Sequence, residues 1–184
     1  MDALDLNYGI SDSLIISSPI GNLLGKATKA GVCSLQFIDS AKPELNESLK
    51  NPELIFETKN NKHLKKLQSQ MAEYFCGERK KFECAIDLRG SQFQQKVWNE
   101  LIKIGYASTR TYKEQSLAMG NLLAIRAVAA ANGANPIAIV IPCHRIVGTD
   151  GSLTGYAGGL WRKKWLLDFE FNNVSNSKQL SLVI

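Results

Sequence analysis

The chain opens with short apolar runs broken by turn residues. Stretches 14–17, 21–27 and 32–37 are rich in β-branched and apolar side chains, and Pro19-Ile20-Gly21-Asn22 and Lys29-Ala30-Gly31 separate them. This pattern predicts a small antiparallel sheet. Residues 39–52 are polar and predict a loop or short exposed helix. From 63 to 75 the period changes: Leu64, Leu67, Met71 and Tyr74 recur at helical spacing, Gly77 supplies a stop, and His63 falls on the solvent side. Residues 80–90 read as a last extended segment and a linker. Beyond them the pattern is helical. Ser91 can cap a helix whose apolar face is Phe93, Val97, Trp98, Leu101 and Ile104. Thr111 with Glu114 forms a capping-box pattern for a helix to Met119, Gly120-Asn121 turns the chain, and an alanine-rich helix spans 123–132. Helix, short turn and second helix outline a helix-turn-helix. Ile137-Ala138-Ile139-Val140-Ile141, between Pro136 and Pro142, reads as a buried strand. A helix over 160–169 is expected to bury Leu160, Trp161, Trp165, Leu166 and Phe169 and to expose Arg162, Lys163 and Lys164, with a frayed polar tail after it.

The 184 residues are 45% hydrophobic, enough for a core, and no apolar run approaches the ~20 residues that span a bilayer. The start, MDALDLNYGI, lacks the basic and apolar regions of a signal peptide, so a cytoplasmic location is expected. Charge divides the chain. Residues 1–89 carry 12 basic and 12 acidic side chains, whereas 90–184 carry 10 and 5, so the whole net charge of +5 lies in the second half. That asymmetry suggests two domains, 1–89 and 90–172, with a polar tail at 173–184 and an anionic partner for the second. Cys33 and Cys76 read as buried fillers, and the thiols other than Cys143, Cys84 included, as mostly inert. With no C-x-x-C pair and only His63 and His144, no metal is expected.

Cys143 differs from the other three. It leaves an apolar segment at Pro142 and precedes His144-Arg145, and nearby positive charge favours a thiolate. Residue types alone leave two readings open: a nucleophile, or a structural cysteine beside a charged loop.

Longer blocks carry a resemblance. Pro142-Cys143-His144-Arg145 resembles the acceptor motif of the O6-alkylguanine-DNA alkyltransferases. Phe93-Gln94-Gln95-Lys96-Val97-Trp98, Thr111-Tyr112, Ile125-Arg126-Ala127-Val128, Asn135-Pro136 and Gly155-Tyr156-Ala157-Gly158-Gly159-Leu160 fall in that family's order. The resemblance covers about 90–170 closely and 10–90 loosely. It implies an α+β fold, with a ribonuclease-H-like first domain and a winged-helix-like second one. It implies stoichiometric transfer of an alkyl group from O6-alkylguanine, less readily O4-methylthymine, in double-stranded DNA to Cys143, without a cofactor. His144 would be the base acting through a water, Glu170 its orienting acid, Tyr112 a proton donor to the leaving guanine, and Asn135 a brace. Arg126, Thr111, Ala127 and Ala131 would meet DNA in the minor groove, Arg126 replacing the flipped base. Pro142, Thr149, Tyr156, Ala157, Gly158 and Trp161 would line the base pocket, and Arg145 would hold the loop.

Two departures stand out. Leu122-Leu123 replaces the Pro-Lys of many relatives, which removes a positive charge from the DNA side, and Ala157 stands where some carry serine. A monomer without membrane attachment is expected. The competing reading, a non-catalytic lesion binder on the same scaffold, is disfavoured by the presence of Cys143.

Overall fold

The computed structural model describes residues 12–38 and 60–180. The polar stretch 39–52 lies outside the described residues. Two compact units emerge: one up to Arg89 that also takes in Pro136–Ala138, and one from Gly90–Asn135 and Ile139 onward.

In the first unit, β1 (Asp12–Ile16), β2 (Leu23–Ala27) and β3 (Val32–Phe37) form an antiparallel sheet in the order β1-β2-β3. Ile16, Leu23, Leu24, Ala27, Val32, Leu35 and Phe37 are buried. Helix α1 (Lys62–Phe75) packs on the sheet at Gly25, where an added Cβ would lie 3.3 Å from Leu64 Cδ2. Asn61 caps α1 by accepting from the His63 and Leu64 amides. Buried Gln70 uses its side-chain oxygen to accept from the Glu83 and Cys84 amides, which fixes the segment after the helix. The expected extended stretch over 80–90 shrinks to a single bridge between Ile86 and Val32. Cys33 and Cys84 are buried, but Cys76 is exposed, contrary to the filler reading, because it sits at the helix's C-cap.

In the second unit, α2 (Gln92–Ile102), α3 (Tyr112–Ala118) and α4 (Ile125–Gly133) surround Val97, Trp98, Leu101 and Val128. The expected Thr111–Glu114 capping box forms, and Ser91, expected as a cap, forms a second box with Gln94. A 3-10 turn (Leu122–Ala124) leads into α4. Strands β4 (Arg110–Thr111) and β5 (Ile146–Val147) pair in parallel. Polar groups help fix the helices. Trp98 Nε1 donates to Ala131 O at 2.8 Å. Gln115 and Asn132, both buried, exchange amide hydrogen bonds of 3.2 and 2.7 Å, and Gln115 also donates to Val97 O.

Two elements differ from the sequence reading. Residues 137–141 bury Ile137, Ile139 and Ile141 but do not form a strand: Ile137 bridges to Leu35, and the chain then turns, with Ile139 at φ 69°. A β-branched residue there is strained by about 1–3 kcal/mol. Helix α5 (Leu160–Leu180) continues where a frayed tail was expected; Leu166 is buried and Lys164 exposed as expected, but its first turn is reversed. Arg162 and Lys163 are buried, while Leu160 and Trp161 are 48% and 57% exposed. Carbonyl oxygens of the preceding loop need donors, and these two cations supply them: Arg162 to Gly158 O, Lys163 to Thr154 O and Gly155 O.

The Gln115–Asn132 pair yields a stability prediction. Asn132→Ala strands a buried amide and is expected to lower unfolding stability by about 1–3 kcal/mol. The pair Gln115→Leu with Asn132→Leu is expected to cost less than the sum of the two single changes in urea titrations. Additive losses would show that the two amides do not act together.

Candidate active site

Cys143 sits where the backbone reverses twice. Pro142, at φ −82° and ψ 60°, centres a three-residue turn closed by Cys143 N donating to Ile141 O at 2.8 Å. The chain then enters a single 3-10 turn, Cys143–Arg145. All three are buried. Asn135, just past α4, donates from Nδ2 to Cys143 Sγ at 3.0 Å and to Ile141 O at 2.7 Å. One amide therefore holds both the sulfur and the turn that presents it.

His144 and Arg145 converge on Glu170 of α5, itself fully buried. His144 Nε2 lies 3.0 Å from Glu170 Oε1. Arg145 grips the same carboxylate in a fork, Nη2 to Oε1 at 2.8 Å and Nε to Oε2 at 3.0 Å, and donates Nη1 to Ile104 O at 2.7 Å. The Ala107 amide completes the set on Oε2 at 3.0 Å; Ala107 takes the left-handed conformation, φ 54°, to make it.

Burial works to raise the Glu170 carboxyl, but the hydrogen bonds and charges of His144 and Arg145 outweigh it and hold the group well below the usual carboxylate range. Burial lowers the His144 imidazole; Glu170 opposes this, while Arg145 and Lys163 add to it. The arrangement at neutral pH is an ionised Glu170 and a neutral His144. A carboxylate only accepts, so Nε2 carries the ring proton and Nδ1 carries the lone pair. Nδ1 is buried and makes no hydrogen bond to a described protein group.

Lys163 is the residue that sequence reasoning missed. Its ammonium is fully buried, bound to Thr154 O at 2.6 Å and Gly155 O at 3.4 Å. Burial pulls its pKa down to about 8, against an opposing pull from Cys143. A lysine three residues into a helix, flanked by other cations, gives no sequence signal of burial. Tyr112 Oη donates to the same Thr154 O at 3.2 Å. Tyr156 Oη is buried without a described partner, and burial, then Cys143, push its pKa well up.

The other expected residues are distributed as follows. Thr111 caps α3. Pro142 and Gly158 are buried, Ala157 and Thr149 are exposed. Trp161 faces outward with the Arg162 guanidinium 4.4 Å from its ring centre, so it is not buried in a pocket. Arg126 and Ala127 are exposed on α4, but Ala131 is 4% exposed and turned into the core, where its carbonyl receives Trp98. Helical spacing gives the outer position to Ala130 instead. Among the described residues, no three His, Cys, Asp or Glu side chains come together as a metal site requires. No described helix is long and apolar enough to cross a membrane.

A buried cysteine bonded by Asn135, next in the chain to an imidazole oriented by Glu170, is an arrangement suited to thiol chemistry. Comparison with known proteins gives the family. Residues 14–88 match the family model described as "6-O-methylguanine DNA methyltransferase, ribonuclease-like domain", and 92–172 match its "DNA binding domain". A Methanosarcina barkeri methylated-DNA--protein-cysteine methyltransferase is 42% identical over 160 residues, 87% of this chain and 97% of the relative. A relative of the same name from Mycobacterium bovis is 52% identical over 101 residues, 55% of this chain and 61% of its own. A crystal structure of Mycobacterium tuberculosis OGT in complex with DNA superposes with a TM-score of 0.76 at 37% identity, covering 89% of this chain and 94% of that one. The chain belongs to the 6-O-methylguanine DNA methyltransferase family, as an α+β member with a methyltransferase activity directed at DNA repair.

Lys163 predicts a pH signature. Its folded pKa, about 8, lies below the ordinary lysine value of 10.5, so the unfolded chain binds more protons between them and stability gains with rising pH. Denaturant midpoints for wild type and Lys163→Met are compared from pH 7.5 to 9.5. The wild type is expected to rise relative to the variant across that range. A constant difference would mean that Lys163 titrates alike in both states.

Proposed function

We propose that the protein removes alkyl groups from O6-alkylguanine, and less readily O4-methylthymine, in double-stranded DNA by moving them onto Cys143, one group per molecule. The carrying observation is the pairing at the 3-10 turn: Asn135 holds the sulfur at 3.0 Å, while Glu170 fixes His144 in the tautomer that leaves a basic Nδ1. A water between Nδ1 and Sγ takes the thiol proton to His144. The thiolate attacks the alkyl carbon, the S–C bond forms as the C–O6 bond breaks, and the electron pair leaves on guanine. Tyr112 donates its hydroxyl proton to N3 of the departing base, exchanging its present bond to Thr154 O for one to substrate. The product is a thioether with no leaving group of its own, so the site has no route back to the thiol and needs no cofactor.

The alkyl carbon is hard to reach inside a duplex, so the nucleotide is flipped into the site. Tyr156, Ala157, Gly158, Thr149 and Pro142 would surround it. Arg126 is exposed on α4 with no ion pair among the described residues, which suits it to fill the gap in the stack. No acidic residue lies between Asn121 and Asn135, so this face can meet phosphates. Its small side chains cannot read base edges in a major groove but allow close approach to a narrow one, which favours the minor groove. The protein works as a monomer in the cytoplasm.

Two experiments test this. Intact mass after incubation with duplex bearing one O6-methylguanine is expected to gain one methyl group per wild-type chain, and none in Cys143→Ala. His144→Ala is expected to slow single-turnover transfer about 10²–10⁴-fold at saturating protein. Binding of DNA by the wild type without any mass gain would instead identify a lesion binder. For Arg126→Ala, repair of duplex is expected to fall far more than reaction with free O6-benzylguanine, which needs no extrusion. Equal losses would remove Arg126 from the flipping step.

A further inference from the structure

Leu123 is 96% exposed, an unusual setting for a leucine that nothing in the proposed chemistry uses. It is also held firmly. Asn121 Oδ1 accepts from its amide at 3.0 Å, and the Ala124 amide donates to Asn121 O at 3.1 Å, closing the 3-10 turn that leads into α4. The outward side chain therefore stands on an ordered turn. Stepping along α4 by three and four residues, the same exposed face carries Arg126 and Ala127, then Ala130, then Gly133 and Ala134. One large apolar side chain leads, one cation follows a turn later, and only small residues lie beyond. Leu122, 44% exposed, adjoins it. With no acid from Asn121 to Asn135, the face complements an anionic partner and is continuous with Arg126. A surface made to bind an apolar protein groove would continue the apolar stripe along α4, and this one does not.

Resting on the reading of α4 as the DNA face, we propose that Leu123 is an apolar wedge that enters the minor groove beside the flipped nucleotide. Its side chain presses between neighbouring base pairs, as apolar wedges do in proteins that kink DNA from that groove. Arg126 fills the emptied position, and Leu123 opens the adjoining step. A leucine here offers contact with bases, whereas a lysine would offer attraction to phosphate.

The test uses the full chain and a duplex with one O6-methylguanine next to 2-aminopurine, whose fluorescence rises on unstacking. Leu123→Ala is expected to weaken duplex binding about tenfold, the scale of losing most of a leucine's apolar contact. It is also expected to cut the fluorescence rise. Its loss of rate on duplex should exceed its loss on free O6-benzylguanine by a similar factor. Leu123→Lys is expected to steepen the log–log salt slope by about 0.9, the mark of one added phosphate contact, without restoring the fluorescence. A Leu123→Ala protein with wild-type affinity and full fluorescence would overturn the wedge. So would equal losses on duplex and free base, which would assign Leu123 to the fold. A wild type that accepts no alkyl group from either substrate would overturn the underlying repair reading, a result distinct from both.

Discussion

A single buried carboxylate organises the second unit. Glu170 accepts from His144 and Arg145 on one oxygen and from Arg145 and Ala107 on the other, so its lone pairs are used by partners from two parts of the chain. Taking this charge out of water is costly, and only a complete set of donors offsets it. The same four bonds therefore tie α5, the 3-10 turn and the loop after α2 into one arrangement. Arg145 extends the hold to Ile104 O, and its guanidinium lies 5.7 Å from the centre of the Tyr106 ring. What His144 can do as a base follows from this constraint, because the carboxylate decides which ring nitrogen is free.

The geometry of the turn matters as much as its chemistry. Within one 3-10 turn, Cys143 meets Asn135 while His144 and Arg145 both reach Glu170. In a strand, His144 would point away from both neighbours. The inverse turn at Pro142 and the strained backbone at Ile139 deliver the chain into this turn, and Asn135 secures it from the end of α4. Local strain at Ile139 persists because the residue is buried on a segment fixed at both ends.

Much of this was legible in the residues. Alternation and turn residues located β1 to β3, and the Ser91 and Thr111 capping patterns marked the starts of α2 and α3, because these signals act within four residues. Proximity of Cys143, His144, Asn135 and Glu170 followed from the resemblance and not from spacing, since Glu170 is distant in sequence. Residues 137–141 misled because an apolar β-branched run records burial and not conformation; Ile139 is buried in a turn. Helix α5 misled for the opposite reason. Lys163 and Arg162 carry charge, which usually marks solvent, but their long stems let the charged ends reach loop carbonyls while the stems pack inside. Ala131 failed by one helical step, the difference between the outer face at Ala130 and the core.

The two units solve burial differently. Among the described residues, the first buries only Ser13, Thr28 and Gln70 as polar side chains, and its interior is otherwise aliphatic and aromatic. The second buries Gln115, Ser116, Asn132, Asn135, His144, Arg145, Arg162, Lys163 and Glu170, including every buried charge. An apolar interior of the same volume would be at least as stable, since paired charges recover little beyond their desolvation cost. The polar interior is therefore better explained by what it positions than by what it stabilises. Gln115 and Asn132 set α3 against α4, Asn135 carries that alignment to the sulfur, Glu170 carries α5 to the imidazole, and Lys163 holds the loop that also receives Tyr112. Each buried polar group in this chain of contacts lies between the helices and the thiol, so the setting of the Cys143 sulfur and the packing of the helices around it are fixed by the same hydrogen bonds.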